Sequence, residues 1–138
     1  MNADIWNVLH DGPIVSLTGS IPGDVRFAVA IGYLRKRFPD PGECILLTLH
    51  GCTALSYLVW ETNEVLTDLV AIAAAEPEIL SADEPTTVVC NGGTLQVQAS
   101  GFSLALDSGR AITIDDLFAV AAAYWTEFEN RSQRRRAE

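Results

Sequence analysis

The sequence predicts an α+β fold, in which a mostly antiparallel, curved β-sheet packs with two principal α-helices. Runs of alternating apolar and polar residues outnumber helical patterns along the chain, and such alternation is typical of half-buried strands. Tight turns separate neighbouring runs, which favours antiparallel pairing. The chain lacks the β-α-β alternation of a doubly wound parallel sheet, so we exclude that fold class.

The first third of the chain is predicted to consist mainly of strands. Residues 4–9 form a short mixed segment that we group with them, and Asp11-Gly12 is a two-residue hairpin signal. Residues 25–31 alternate between apolar and smaller or polar side chains, which predicts a half-buried strand. Residues 33–38 predict a short helical turn, which ends at the breaker formed by residues 39–42.

Gly51 separates two strand patterns in the middle of the chain. Residues 43–50 are rather apolar on both faces, which predicts a central strand, and residues 53–60 continue as a strand. Two arrangements are compatible with this pattern. The chain folds back at Gly51 into a tight hairpin, or it continues as one long strand that is bent by a bulge.

The first principal helix is predicted over residues 63–76. Thr62 or Asn63 supplies its N-cap, the apolar side chains recur at helical spacing, and Pro77 ends it. Strand patterns follow on both sides of Asn91-Gly92-Gly93, which is a clear hairpin signal.

The second principal helix is predicted over residues 114–130. Thr113 is the expected N-cap, and Asp116 three residues later completes a variant of the capping box. Ile112 and Leu117 stand at the two positions of a hydrophobic staple. The apolar stripe of this helix is wide, which predicts packing against the rest of the fold.

Length and charge divide the chain into one domain and a tail. The chain has 138 residues with 18 acidic and 9 basic side chains, a formal net charge of −9. We expect a single domain over residues 1–130, which holds 5 basic and 17 acidic residues, and a basic, frayed tail over residues 131–138, which holds four arginines and one acid. A domain of net charge −12 disfavours non-specific binding to nucleic acid or to anionic membranes.

The cysteines and the first residues indicate a cytoplasmic protein. Three cysteines without a C-x-x-C spacing make a poor disulfide framework, so we expect reduced thiols. The first residues carry an acid and no basic segment, unlike a signal peptide. No apolar stretch approaches the roughly 20 residues of a membrane-spanning helix.

His50 and Cys52 are the first candidates for chemistry, because an imidazole and a thiol can form a nucleophilic pair. On an unbroken strand they share one face, with Cα atoms roughly 7 Å apart. The sequence identifies neither an orienting group nor an oxyanion site, so packing of Cys52 as a small apolar residue and ordinary hydrogen bonding of His50 near a strand end are the favoured explanation. We name His50, Cys52 and Trp60 as candidate binding residues and assign no catalytic residue.

The sequence predicts no metal and no cofactor. Cys44 and His50 are roughly 20 Å apart if their strand is extended, so they cannot share an ion. Structural zinc sites contain close ligand pairs, and only His50 and Cys52 form one here. Neither a Walker loop nor a G-x-G-x-x-G sequence occurs.

These observations favour a non-enzymatic protein-interaction module over an enzyme. We expect it to bind a basic partner, in the manner of acidic immunity proteins that neutralise toxins. The alternative is a small-ligand-binding domain or a small enzyme with a pocket near His50 and Cys52. A third possibility is a homo-oligomer that associates through the Tyr124 and Trp125 side of the last helix. We expect no nucleic acid and no membrane among the partners.

Overall fold

The computed structural model describes residues 2–137, with side chains described for residues 2–135. Within these residues the chain forms two five-stranded antiparallel sheets and four α-helices, which confirms the predicted α+β class and divides the predicted curved sheet in two. The helices are α1 (Asp4–Val8), α2 (Gly32–Arg35), α3 (Leu69–Ala74) and α4 (Ile114–Ala137). The strands are β1 (Ile14–Gly19), β2 (Gly23–Ala30), β3 (Cys44–Cys52), β4 (Ala54–Val59), β5 (Val65–Leu66), β6 (Ile79–Glu84), β7 (Thr87–Cys90), β8 (Gly93–Gln98), β9 (Gly101–Leu106) and β10 (Ala111–Ile112).

Two nearly continuous pairs of strands, β3–β4 and β8–β9, connect the sheets. The first sheet has the order β1-β2-β3-β9-β10, and the second has the order β5-β4-β8-β7-β6. Strand β3 pairs with β9 in the first sheet, and β4 pairs with β8 in the second. Thr53 alone separates β3 from β4, and Ala99 and Ser100 separate β8 from β9. A two-stranded ribbon therefore runs through both sheets and bends between them, as strands do at the corners of orthogonally packed sheets.

Gly51 lies in a bulge at this bend, so the bent-strand arrangement is the one that the chain adopts. Strands β3 and β4 belong to different sheets, and Gly51 has a φ of +59°. The register between β2 and β3 shifts here, so that Asp24 lies opposite both His50 and Gly51. An extra residue on one strand bends it and increases its twist, which carries the ribbon from one sheet into the other.

The core lies between the inward faces of the two sheets and is closed by α1. Each large apolar side chain that is fully buried contributes roughly 1.5–3 kcal/mol to folding. The buried residues contributed by the sheets include Ile14, Val25, Phe27, Val29, Ile45, Leu47, Leu49, Val88, Leu95 and Val97. The alternation predicted along residues 25–31 is therefore the alternation between core and solvent.

Residues 4–9, which we grouped with the strands, instead form α1 and its end, so that prediction was wrong. Trp6 and Leu9 are fully buried on the inner side of this helix. The Asn7 side chain donates to the carbonyl of Ala82 and accepts from its N–H, at 2.7 and 2.9 Å. These two bonds attach α1 to β6 and satisfy backbone groups that a strand partner would otherwise satisfy.

The first principal helix is much shorter than the predicted 63–76. Val65–Leu66 form strand β5, which pairs with Tyr57–Leu58 of β4. The N-cap is Asp68, whose carboxylate accepts from the Ala71 N–H at 3.1 Å, and not Thr62 or Asn63. Val65 is β-branched and suits a strand as well as a helix, and pairing with β4 decides between them.

The second principal helix begins where the sequence predicts. The Thr113 hydroxyl accepts from the Asp116 N–H at 3.1 Å, and the Asp116 carboxylate accepts from the Thr113 N–H at 2.9 Å, which completes the capping box. Helix α4 contacts α1 and α2 and extends to Ala137. Glu138 and the side chain of Arg136 lie outside the described residues, and the frayed tail stays a prediction.

Arg35 is the one buried charged side chain among the described residues, with 1% of its surface exposed. Its guanidinium donates to the Asp107 carboxylate at 2.8 Å and to the carbonyls of Cys44, Asp40 and Pro41 at 2.7–3.2 Å. A buried charge is tolerated when it is paired and hydrogen-bonded in this way. Arg35 thereby fastens α2 to the loop before β3 and to the end of β9.

Asp107 completes this cluster. Partial burial acts to raise its pKa, but the N–H groups of Glu43 and Cys44 and the Arg35 guanidinium outweigh that effect and hold the pKa at about 2. Because this folded-state pKa lies below the ordinary value of about 4, the ionised carboxylate stabilises the fold above pH 4. That contribution is lost as the pH falls from about 4 towards 2.

Replacing Asp107 by asparagine therefore removes a pH-dependent contribution to stability. We expect Asp107→Asn to lower the free energy of unfolding at pH 7 by about 2–3 kcal/mol, less than for a fully buried pair because Asp107 is partly solvated. We also expect a weaker loss of stability between pH 4 and 2 than in the wild type. Urea denaturation across this pH range measures both effects.

Arg131→Ala is the control, because Arg131 forms an ion pair with Glu127 one turn earlier on α4, and both side chains of this pair are exposed. Its effect on the free energy of unfolding should be within experimental error. Equal destabilisation by the two variants would contradict the role assigned to the buried cluster.

Candidate functional site

Three polar side chains form a hydrogen-bonded chain on the solvent side of the first sheet, next to the bend. Asp24 Oδ2 lies 3.2 Å from His50 Nδ1, and His50 Nε2 lies 2.8 Å from Ser103 Oγ. The Gly51 N–H donates to Asp24 Oδ1 at 3.1 Å. A carboxylate, an imidazole and a hydroxyl are thus connected in that order.

The protonation states of the three hydrogen-bonded side chains follow from that of Asp24. The hydrogen bond from Gly51, followed by the bond from His50, holds the pKa of Asp24 below its ordinary value. An ionised carboxylate only accepts hydrogen bonds, so His50 Nδ1 must donate to it. In the neutral ring the lone pair is then on Nε2, and the Ser103 hydroxyl donates to that nitrogen.

Strand pairing aligns further polar residues beside this chain. Four polar residues lie opposite one another on four adjacent strands, and we call them the polar row: Thr18, Arg26, Thr48 and Ser103. Arg26 Nε donates to Thr48 Oγ1 at 3.3 Å. The outer face of the first sheet therefore carries one guanidinium, one imidazole and several hydroxyl groups.

Cys52 lies on the opposite face from His50. The bulge at Gly51 shifts the alternation by one residue, so that two positions which would share a face on a regular strand do not. Cys52 is 0% exposed, whereas 45% of the His50 side chain is exposed. Burial raises the pKa of the Cys52 thiol, whose S–H donates to the Ala54 carbonyl at 3.5 Å. The two residues do not form a nucleophilic pair, and Cys52 packs in the core.

Trp60 belongs to a different surface, the outer face of the second sheet. It is 47% exposed, and its indole N–H donates to Thr94 Oγ1 at 2.9 Å. Cross-strand pairs place Leu58 beside Val65 and Thr94, and Thr94 beside Val89. Leu58, Trp60, Val65 and Val89 form what we call the apolar centre of this face.

The segment of the chain that contains α3 and the strands of the second sheet carries charge of one sign only. Residues 54–98, which we call the acidic lobe, contain seven acidic residues and no lysine, arginine or histidine. Among the side chains of residues 2–135, none of the seven forms an ion pair. These residues are Glu61, Glu64, Asp68, Glu76, Glu78, Asp83 and Glu84, and all but the half-buried Glu78 are exposed.

Two larger hollows, besides a small one beside Val89, adjoin the second sheet. One of about 530 Å³ lies beside the bend and is lined by residues that include Ile21, Ala54, Thr67 and Gln98. The other, of about 410 Å³, lies beside Trp60. His50 and Cys52 line neither hollow, so these hollows do not supply the pocket that the sequence analysis considered near those residues.

Aromatic side chains gather where α4 meets α1 and α2. The rings of Tyr33 and Tyr124 are 4.7 Å apart, and His10 stacks on Trp125 at 5.5 Å. Trp125 and Phe128 are 39% and 50% exposed, so part of this cluster faces solvent. The Tyr33 hydroxyl donates to the His10 carbonyl, which attaches α2 to the end of α1.

Sequence reasoning missed two members of the polar chain. Asp24 stands 26 residues from His50 and Ser103 stands 53 residues from it, so only the strand register brings them together. The alternation around Ser103 does indicate that it faces outward, but no local signal connects it to His50.

Comparisons with protein-family models, with curated proteins and with solved structures found no match to this chain. Among the described residues, no group of three or more histidine, cysteine or acidic side chains has an arrangement that would hold a metal ion. Within residues 2–137, no helix has both the length and the apolar character needed to cross a membrane.

The bulge that positions His50 depends on glycine at position 51. A Cβ atom there would lie 2.5 Å from Ser100 Oγ, and a φ of +59° is unfavourable for other residues. We expect Gly51→Ala to lower the free energy of unfolding by about 1–2 kcal/mol. Urea denaturation followed by tryptophan fluorescence measures this change.

Gly101→Ala is the control, because a Cβ at position 101, opposite His50 on β9, meets no atom within 4 Å. We expect a change of less than about 0.5 kcal/mol for this variant. If both alanine variants lose the same stability, the bulge does not depend on the backbone freedom of Gly51.

Proposed function

We propose that this protein is an interaction module that binds a basic protein partner through the outer face of its second sheet, and that this binding requires no enzymatic activity. The observation that supports this proposal is the combination of an exposed apolar centre with charge of a single sign around it. Residues 54–98 contain no lysine, arginine or histidine, so no basic side chain of this segment neutralises its acidic residues.

The acidic residues stand at the edges of the apolar centre. Glu61 and Glu64 lie in the turn between β4 and β5, next to Trp60 and Val65. At the opposite edge of the sheet, Asp83 and Glu84 line a hollow together with Val89. An arrangement of charged rim and apolar middle is typical of protein interfaces.

Trp60 is the residue that we expect to contribute most to affinity. Tryptophan is enriched among interface hot spots, because one side chain buries a large area at a small cost in conformational entropy. Its indole N–H is already bonded to Thr94, which holds the ring over the sheet before any partner binds. Long-range attraction by the acidic lobe would accelerate the encounter.

The kind of partner follows from the same chemistry. A basic protein with an apolar side chain at the middle of its positive surface fits this face, and a basic toxin neutralised by an immunity protein is one such case. We place the interaction in the cytoplasm, because Cys44, Cys52 and Cys90 are unpaired thiols within the described residues, as expected of a reducing compartment.

Charge reversal on the acidic lobe tests the proposal. The partner is first captured from the source cell with the wild-type protein and then purified. We expect the triple variant Glu61→Lys, Asp83→Lys, Glu84→Lys to lower its association rate constant at least about tenfold, and the wild-type rate constant to fall with added salt. Surface plasmon resonance measures both effects.

The matched control reverses three exposed acids elsewhere: Asp4→Lys, Glu43→Lys and Glu129→Lys. It changes the net charge by the same amount, so it separates the acidic lobe from overall charge. Equal effects of the two triple variants, or binding that is insensitive to salt, would argue against this face.

A second copy of the chain is the second candidate partner, and the exposed aromatic residues of α4 favour it. Residues 114–137 hold four acidic and four basic residues, so two such helices do not repel each other through net charge. Trp125 and Phe128 lie on this neutral helix with large exposed fractions.

Light scattering at increasing protein concentration tests self-association. For a homo-oligomer we expect a dimer mass for the wild type and a monomer mass for the double variant Trp125→Ala, Phe128→Ala. A Trp60→Ala variant should remain dimeric, because Trp60 lies on the second sheet. A monomer mass for the wild type at every concentration would exclude this second candidate.

A further inference from the structure

We propose that Ser103 is a nucleophile that His50 activates and Asp24 positions, and that it takes the acyl group from activated esters. The interaction proposed above does not use these residues, which lie on the first sheet. A carboxylate, an imidazole and a serine hydroxyl connected in this order activate serine in hydrolases of unrelated folds. The arrangement is recognised by geometry, and the two distances of 3.2 and 2.8 Å lie within or close to hydrogen-bonding range.

Each proton shared among Asp24, His50 and Ser103 has the position that activation of the serine hydroxyl requires. The ionised Asp24 fixes the donor proton on His50 Nδ1, which leaves Nε2 free to accept the proton of Ser103. The Gly51 N–H anchors the other carboxylate oxygen, so Asp24 holds the imidazole in one orientation. Ser103 is exposed and half of the imidazole faces solvent, so an ester in solution can reach the hydroxyl.

Arg26 supplies positive charge on the same face. It is separated from Ser103 in the polar row only by Thr48, to which its Nε donates. The Arg26 side chain is exposed, and a guanidinium beside the reacting carbonyl stabilises the negative charge that develops on its oxygen. The outer face is open, which favours small, activated acyl donors over long substrates.

The reaction balances without a cofactor. Ser103 Oγ bonds to the acyl carbon while its proton passes to His50 Nε2 and the carbonyl electron pair moves to oxygen. The tetrahedral intermediate then expels the alcohol, which takes the proton from His50, and leaves an acyl-Ser103 ester. Water attacks this ester with His50 again as base, and the proton returns to Ser103 Oγ as the carboxylic acid leaves.

p-Nitrophenyl acetate is the probe, and p-nitrophenolate release and mass spectrometry are the two readouts. We expect acetylation of the peptide that contains Ser103 in the wild type. Ser103→Ala and His50→Gln should each lower the rate of p-nitrophenolate release about 100-fold relative to the wild type. Asp24→Asn should lower this rate as well, and Asp24→Glu should restore part of it, which a purely structural role for Asp24 would not predict.

Ser81→Ala is the matched control, since Ser81 is an exposed serine on β6 of the other sheet. Its rate should equal that of the wild type. Circular dichroism of each variant checks the fold. Ser103→Cys provides a second test, because His50 should accelerate alkylation of the new thiol by chloroacetamide. Equal rates for wild type and Ser103→Ala, or acetyl groups on residues other than Ser103, would overturn the proposal.

Discussion

The bend in the ribbon formed by β3–β4 and β8–β9 is the constraint on which the rest of the structure depends. It carries two chain segments from one sheet into the other, so the inward faces of both sheets can enclose one core. The bulge at Gly51 makes this bend possible with a backbone conformation that glycine adopts readily. Arg35 and Asp107 secure the opposite ends of β3 and β9, where a buried guanidinium is matched by a carboxylate and three carbonyls.

The same bend separates two surfaces of different chemistry. The outer face of the first sheet carries the Asp24–His50–Ser103 chain and the only guanidinium of the polar row. The outer face of the second sheet carries the apolar centre within the acidic lobe. Because the bulge also directs Cys52 into the core, His50 pairs with a carboxylate and a hydroxyl rather than with a thiol. Two separate roles on one small domain are therefore physically compatible.

Local signals were sufficient for much of the fold and insufficient for the site. The capping box at Thr113 and the hairpin at Asn91-Gly92-Gly93 depend on neighbouring residues, and both predictions were confirmed. The start of α3 was predicted too early because Val65–Leu66 fit both a helix and a strand, and pairing with β4 decided between them. The contacts of His50 depend on strand register over 26 and 53 residues, which no local pattern contains. The net charge of the acidic lobe, in contrast, is a property of the sequence alone, and the fold adds the apolar centre that it surrounds.

Hydrogen–deuterium exchange of the protein bound to its captured partner tests the central claim most directly, namely that the second sheet is the interaction surface. We predict slower exchange on binding for the amides between Leu58 and Val65 and around Val89, with unchanged exchange on the polar row of the first sheet. Protection confined to α4 or to the first sheet, with the second sheet unaffected, would contradict the account.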